Sequence, residues 1–340
     1  MASALMMVPP RCWAKARARA DLPLAVGPAM MTRRLAGRSD NVIPVLAMSY
    51  IVILVANRQG GSLTEQDARR AMEFCAGQHV NWLSPGRAVE FIVKNAPDMG
   101  QVKLILEHRA VDVFVTKFRG RRKAVLVADM DSTIVTTETL DEIAAFAGLK
   151  EKIAAITQRS MNGEIDFATA LRERVGMLKG LELSALERTW RETKFCAGAK
   201  ILVATMRAFG ATTALVSGGF TFFTARVAAE LGFDLHRANM LMDNGSVLTG
   251  EVGEPILDRD TKLATLTELA EKRGVKLSAT VAVGDGANDL AMLRAAGLGM
   301  AYYAKPIVAA EVANRIEHTD LTSLLFAQGY PETSFKGAEI

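Results

Sequence analysis

Apolar and polar positions fall into two rhythms along this chain, and each change of rhythm predicts a change of element. Ser49–Ala56 is a nearly unbroken apolar run, too short for a helix and rich in Ile and Val, so it reads as a strand. Thr64 then caps a helical pattern over Glu65–Ala76, with Ala68, Ala71, Met72 and Cys75 at three- and four-residue spacing. Val80–Leu83 and Ala88–Lys94 read as two strands around the turn Ser84-Pro85-Gly86. Pro97–Glu107 suits a second helix and Val111–Lys117 a last strand, giving the order β-α-β-β-α-β. The charged stretch Phe118–Lys123 marks a boundary.

A second series begins at Ala124. The Val-rich run Ala124–Ala128 reads as a fully buried strand. Four blocks at helical spacing follow: Leu140–Ala147, Glu151–Ser160, Phe167–Met177 and Ser184–Glu192. Such an insert after the first strand predicts a lid. The strand rhythm resumes at Ala211–Val216. A hairpin is predicted over Asn239–Glu251 around Asp243-Asn244-Gly245, a helix over Asp258–Arg273 and a strand over Ala279–Gly284. The fold class is therefore α/β, a Rossmann-like doubly wound parallel sheet with a helical cap after its first strand, preceded by a small α+β domain. The expected boundaries are a leader over 1–47, the α+β domain over 48–118, the α/β domain over 119–330 with its cap at about 137–195, and a tail over 331–340.

Composition changes this picture little. Half of the 340 residues are hydrophobic, but every apolar run is short and broken by charge, so no segment reads as a membrane span. The formal charge of +4 hints at nucleic acid until it is located: residues 1–47 hold seven Lys/Arg against two Asp, which leaves −1 for the remainder. That leader carries Pro9, Pro10, Pro23, Pro28 and Pro44 without sustained periodicity. It reads as disordered, since its prolines interrupt the amphipathic helix of a transit peptide, or as a mis-assigned start, with translation beginning at Met48. Cys12, Cys75 and Cys196 are odd in number and lack metal-type spacing, which suits a reducing cytoplasm.

Candidate chemistry sits where the apolar strands stop. Ala124–Ala128 runs into Asp129-Met130-Asp131-Ser132-Thr133. Alternation puts Asp129 and Asp131 on one side of the backbone, at the strand end where open α/β sheets bind ligands. Two acids in one crevice repel and call for a cation, a shared proton or a phosphorylated intermediate. An ordinary strand exit would also use Asp, Ser and Thr. Ala211–Val216 stops at Ser217-Gly218-Gly219, where backbone N–H groups can approach an anion. Lys262 lies near a helix start, where the dipole is unfavourable for a cation unless an anion is bound nearby. Ala279–Gly284 stops at Asp285-Gly286-Ala287-Asn288-Asp289, whose oxygens are hard donors suited to Mg²⁺. Glu138 and Arg174 carry opposite charges on lid segments, and alone each would be a solvated surface charge.

In that order, Asp129–Thr133, Ser217-Gly218-Gly219, Lys262 and Gly284–Asp289 resemble the four motifs of the haloacid dehalogenase superfamily, over about residues 120 to 325. Met161–Phe167, Leu171–Val175 and Ser217–Phe223 are similar to its members that hydrolyse phosphoserine. Residues 48–118 resemble, more loosely, ferredoxin-like and ACT-type amino-acid-sensing domains. The resemblance implies that Asp129 attacks phosphorus to give an aspartyl phosphate, and that Asp131 protonates the leaving serine oxygen and then deprotonates water. It implies that Ser217, Gly218 and Lys262 hold the non-bridging oxygens. Asp129, Asp285 and the backbone carbonyl of Asp131 would ligate Mg²⁺, with Asn288 and Asp289 in support and Asn288 also near the substrate. Glu138 and Arg174 would pair with the ammonium and carboxylate of O-phosphoserine. Also implied are a small-molecule substrate, no nucleic-acid or membrane partner and a cytoplasmic location, with a homodimer left open. A dehalogenase is disfavoured, because it calls for no metal acids, and an ion pump by the missing spans. A phosphotransferase with homoserine as acceptor, or a phosphatase of another small phosphomonoester, keeps the same motifs. An amino-acid-sensing regulator with a decayed enzyme domain conflicts with the intact acids and lysine.

Overall fold

The computed structural model describes residues 49–57, 61–106, 109–161 and 164–337. The leader, Glu107 of the second predicted helix, Asn162-Gly163 of the cap motif and the last three residues of the tail lie outside them.

The first series folds as its rhythm predicts. β1 (Tyr50–Ala56), β2 (Gln78–Ser84), β3 (Ala88–Val93) and β4 (Val111–Lys117) form an antiparallel sheet in the order β2-β3-β1-β4, the ferredoxin-like arrangement. Thr64 caps α1 (Glu65–Phe74) through a reciprocal box: its hydroxyl accepts from Asp67 N at 3.1 Å, and its own N–H donates to the Asp67 carboxylate at 2.8 Å. An antiparallel sheet commonly leaves one face wet, yet β1 is apolar throughout because both of its faces are covered. Val52, Leu54 and Ala56 pack with Ala68 and Ala71 of α1 and with Val102 of α2 (Met99–Ile105). Ile51, Ile53 and Val55 join the core of the larger body.

Polar staples cross the same seam. The buried Asp112 carboxylate accepts hydrogen bonds from the N–H groups of Glu317 (3.0 Å), His318 (3.2 Å) and Thr319 (3.0 Å) and from the Thr319 hydroxyl (2.6 Å). Arg87 reaches Asp320 at 3.0 Å and Glu332 at 2.7 Å.

In the larger body, β5 (Val125–Ala128), β6 (Thr212–Phe220), β7 (Leu235–Asn239), β10 (Thr280–Gly284), β11 (Leu298–Tyr302) and β12 (Asn314–Ile316) form a parallel sheet ordered β12-β11-β10-β5-β6-β7. β5 is central and fully buried. Leu126 and Ala128 face the core that includes α7 (Ala199–Ala208) and α8 (Thr221–Leu231), while Val125 and Val127 face α9 (Arg259–Lys272) and α10 (Leu290–Ala295). Between β5 and α7 rise the four cap helices, α3 (Thr139–Phe146), α4 (Lys150–Met161), α5 (Phe167–Gly176) and α6 (Leu183–Glu192). The two chain crossings into the cap are laced together by Thr136 N to Lys194 O and Cys196 N to Ile134 O, both 2.9 Å.

The hairpin differs from expectation. Asn239 ends β7, and the hairpin is β8 (Leu241–Asp243) with β9 (Leu248–Val252), closed by a four-residue loop because Asp243 pairs with Leu248. The Asn244 side chain accepts from Ser246 and Val247 N–H and so organises that longer loop. It packs on the cap, with Leu183 N donating to Ser246 O and Gly180 N to Leu248 O. Among the described residues no helix is long and apolar enough to cross a membrane, and Cys75 and Cys196 are free thiols.

Candidate active site

β5 and β10 are neighbours in register, so the acids that follow them arrive side by side. Asp129 N donates to Val283 O at 3.0 Å, carrying the pairing one residue past the strand. Gly284, at the end of β10, has no room for a side chain: a Cβ there would lie 2.4 Å from the Asp289 carboxyl carbon. The chain can therefore fold Asp289 back beneath the strand end. The carboxylates of Asp129, Asp285 and Asp289, all buried, offer oxygens within 4.8 Å of one another.

The cation among them is Lys262. It lies on the buried stripe of α9 with Thr265, Leu266 and Leu269, and is only 2 % exposed. Its ammonium is 2.7 Å from Asp129 Oδ1 and 2.6 Å from Asp289 Oδ1. The anion foreseen at this helix start is thus a pair of carboxylates. Burial alone would lower its pKa, but the two negative neighbours hold it above the usual lysine value. The Asp129 carboxyl is pushed up by burial and by the charge of Asp289, with Lys262 opposing. Burial likewise raises Asp285. All-oxygen donors with compressed negative charge fit a hard divalent cation. Asp289 is already committed through Oδ1 to Lys262 and through Oδ2 to Gly286 N–H (3.0 Å), which suits support more than ligation.

Asp131 turns the other way. Its Oδ1 accepts from Thr139 N at 2.9 Å, at the first turn of cap helix α3, and its Oδ2 accepts from the Ser217 hydroxyl at 3.0 Å. Ser217 in turn accepts from Gly219 N at 2.8 Å, and a Cβ on Gly219 would come within 3.0 Å of Asp131 Oδ2. Burial, helped by the charge of Glu138, raises the Asp131 carboxyl to about 6, with the Thr139 and Ser217 hydrogen bonds opposing.

The lid closes over these groups and leaves a cavity of about 140 Å³, lined from below by Asp129, Asp131, Ser217, Gly218 and Asn288. From above it receives Glu138 and Arg174. These two were solvated surface charges when taken alone, and the fold brings both to the cavity. Ser132, held at φ +54, donates to Glu138 Oε1 at 2.9 Å and aims it. Arg174 is fixed by its Nε to Ala170 O at 3.1 Å, and burial lowers its pKa against the pull of Asp141 and Glu138.

The sequence passed over three contributors. Asn239 donates to Gly218 O (2.8 Å) and accepts from Leu257 N (2.7 Å), pinning the Ser-Gly-Gly turn; a polar residue ending a strand was its only signal. Thr139 supplies the N–H that orients Asp131. Lys305 lines the mouth, and an Ala-Lys-Pro step after the apolar run Leu298–Tyr302 was the trace it left.

Comparison with known proteins agrees with this geometry. The model of haloacid dehalogenase-like hydrolases matches residues 126–294. The phosphoserine phosphatase of Streptococcus thermophilus is 44 % identical over 203 residues, covering 60 % of this chain and 94 % of its own. A crystal structure of a probable phosphoserine phosphatase from Vibrio cholerae, 31 % identical, superposes with a TM-score of 0.69 over 85 % of this chain and 88 % of that one. That share is too large for the parallel-sheet body alone. A phosphoserine phosphatase solved as a phospho-aspartyl intermediate analogue is 38 % identical, with a TM-score of 0.56 over 60 % of this chain and 98 % of that one. With an acid pair, a buried lysine and a second acid cluster at adjacent strand ends beneath a helical lid, and with relatives of this closeness, the chain belongs to the haloacid dehalogenase-like hydrolases.

Proposed function

We propose that this chain hydrolyses O-phospho-L-serine to L-serine and phosphate, through an aspartyl phosphate on Asp129 and with Mg²⁺ as cofactor. The observation that carries this reading is the division of labour between the two acids. Asp129 is clamped by Lys262 at 2.7 Å, while Asp131 is held by Ser217 and by the cap's own Thr139 N–H. One is therefore oriented as a nucleophile and the other as a proton carrier.

Asp129, Asp285 and the main-chain carbonyl of Asp131 would hold the metal, which supplies positive charge where an anionic nucleophile meets a phosphate dianion. Ser217, the Gly218 backbone and Lys262 bind the non-bridging oxygens. Asp131, with its carboxyl near 6, gives its proton to the serine oxygen as the P–O bond breaks, and takes one from the water that hydrolyses the acyl phosphate. Glu138 faces the substrate ammonium, Arg174 the carboxylate, and Asn288 the floor of the cavity. The closed cap keeps solvent water out during the first step. On this reading residues 48–118 form a separate ferredoxin-like module, 119–330 the phosphatase with its cap at about 137–195, and the enzyme works in the cytoplasm on a small molecule.

Phosphate release from O-phospho-L-serine, with Mg²⁺ and with chelator, tests the proposal directly. Metal-dependent release of equal amounts of serine and phosphate is expected. Turnover of other phosphomonoesters but not of phosphoserine would overturn the substrate, and transfer of phosphate to added homoserine in place of water would make the protein a phosphotransferase.

A further inference from the structure

A second lysine reaches the cavity, and it is held quite differently from Lys262. Lys305 follows β11 and precedes Pro306, the first residue of the short helix α11 (Pro306–Ala309). Its N–H donates to Asp285 O at 3.0 Å, which ties this loop to the end of β10. Two residues earlier Tyr303 sits at φ +42, a left-handed conformation that a bulky residue adopts only when its surroundings impose it, and its hydroxyl donates to Thr319 O at 3.1 Å. The strained turn delivers the Lys305 side chain to the mouth of the site. There the ammonium lies 3.6 Å from Asp285 Oδ2 and 4.0 Å from Glu138 Oε1, beyond hydrogen-bonding distance of either, and the side chain is 48 % exposed. Lys262 is locked between two carboxylates; Lys305 keeps its donors uncommitted to both of its acidic neighbours.

A phosphate dianion entering this cavity meets Asp129, Asp131, Glu138 and Asp285, and the deep lysine is already engaged with Asp129 and Asp289. Arg174 on the cap side is assigned above to the substrate carboxylate, so Lys305 is the lining cation placed to offset repulsion of the phosphate at the entrance. We propose that Lys305 is a second phosphate-binding residue, an entrance cation that leaves the Asp285–Glu138 side to contact the substrate phosphate and, after turnover, free phosphate. The proposal rests on the phosphatase reading above. A structural role is the competing account, in which Lys305 merely screens Asp285 and Glu138.

The test compares the parent with Lys305→Met and Lys305→Arg over a Mg²⁺ titration carried to saturation. It reads kcat and KM for O-phospho-L-serine, the inhibition constant of inorganic phosphate, and phosphate binding by calorimetry. In Lys305→Met, loss of one charge-assisted contact at a half-exposed site should raise KM and weaken phosphate inhibition and binding by about tenfold each, with a smaller fall in kcat. Lys305→Arg should recover most of the difference, and added salt should weaken phosphate binding more steeply in the parent than in Lys305→Met. Unchanged phosphate affinity in Lys305→Met overturns the proposal. So does a defect that vanishes as Mg²⁺ is raised, which would show Lys305 acting through Asp285. Calorimetry with phosphate gives its answer even if phosphoserine is not the substrate, so failure of the activity reading and failure of this one are separable.

Discussion

Replacing Asp131 by Asn isolates the proton-carrying role, because the amide can keep the local bonds. Its oxygen can still accept from Thr139 N–H, and its NH₂ can face the Ser217 oxygen, so the turn and the cap contact survive. What disappears is the transferable proton. A carboxyl near 6 is roughly one-tenth protonated at pH 7, enough to serve as acid in one half-reaction and as base in the other. General acid–base catalysis is worth about 10²–10⁴ in rate, or about 3–5 kcal/mol, so Asp131→Asn should lose about that factor with phosphoserine, whose alkoxide cannot leave unprotonated. p-Nitrophenyl phosphate needs little help, since its leaving group departs as a stable anion. Its first step should survive while hydrolysis of the aspartyl phosphate stalls for want of a base. In a rapid-mixing experiment, nitrophenolate should therefore appear in a burst close to one equivalent per enzyme, followed by a slow steady state. Equal losses on both substrates with no burst would refute the reasoning and leave Asp131 a structural prop.

The other predictions touch different parts of the molecule. Asp129→Asn should reduce phosphate release to background while circular dichroism shows a folded protein, because the isosteric amide cannot attack phosphorus. Arg174→Ala should cost about 2–4 kcal/mol in kcat/KM for phosphoserine and far less for phosphoethanolamine, which lacks the carboxylate; equal costs would make Arg174 structural. Asp112→Ala strands three N–H groups at the seam, that of Thr319 buried and those of Glu317 and His318 partly so, and should lower unfolding free energy by about 2 kcal/mol in urea titration, and a parent-like midpoint would count against the seam. For Asp67, burial raises the carboxyl, but the Thr64 bonds and Arg109 together hold it below the usual carboxylate value. Its stabilisation is thus full above that value and is lost as pH falls through the depressed one, so Asp67→Asn should be about 1 kcal/mol less stable than the parent at pH 7 and nearly equal in strong acid, as thermal melts would register.

Much of the site was legible because its signals are local. A strand-length apolar run that stops on Asp129 and Asp131, or on Gly284 and Asp285, announces both element and chemistry within a few residues, and Thr64 with Asp67 announces a helix start in the same way. The unlegible part depends on partners far away in the chain. Periodicity assigns Lys262 to a helix, but only the packing of α9 against the sheet buries it between Asp129 and Asp289. Glu138 and Arg174 look like solvent charges until the cap folds back over β5, and Lys305 looks like nothing until β11 takes its place beside β10. The hairpin expected around Asp243-Asn244-Gly245 closes through a four-residue loop, because Asp243 pairs with Leu248, and the cap that bonds to it at Leu183 and Gly180 is remote in the chain. β1 was legible as a strand, whereas the need for apolar residues on both its faces came from a second core packed behind it. Side-chain spacing encodes which face an element presents. Which elements meet is decided by the burial of those faces together, a property of the whole chain.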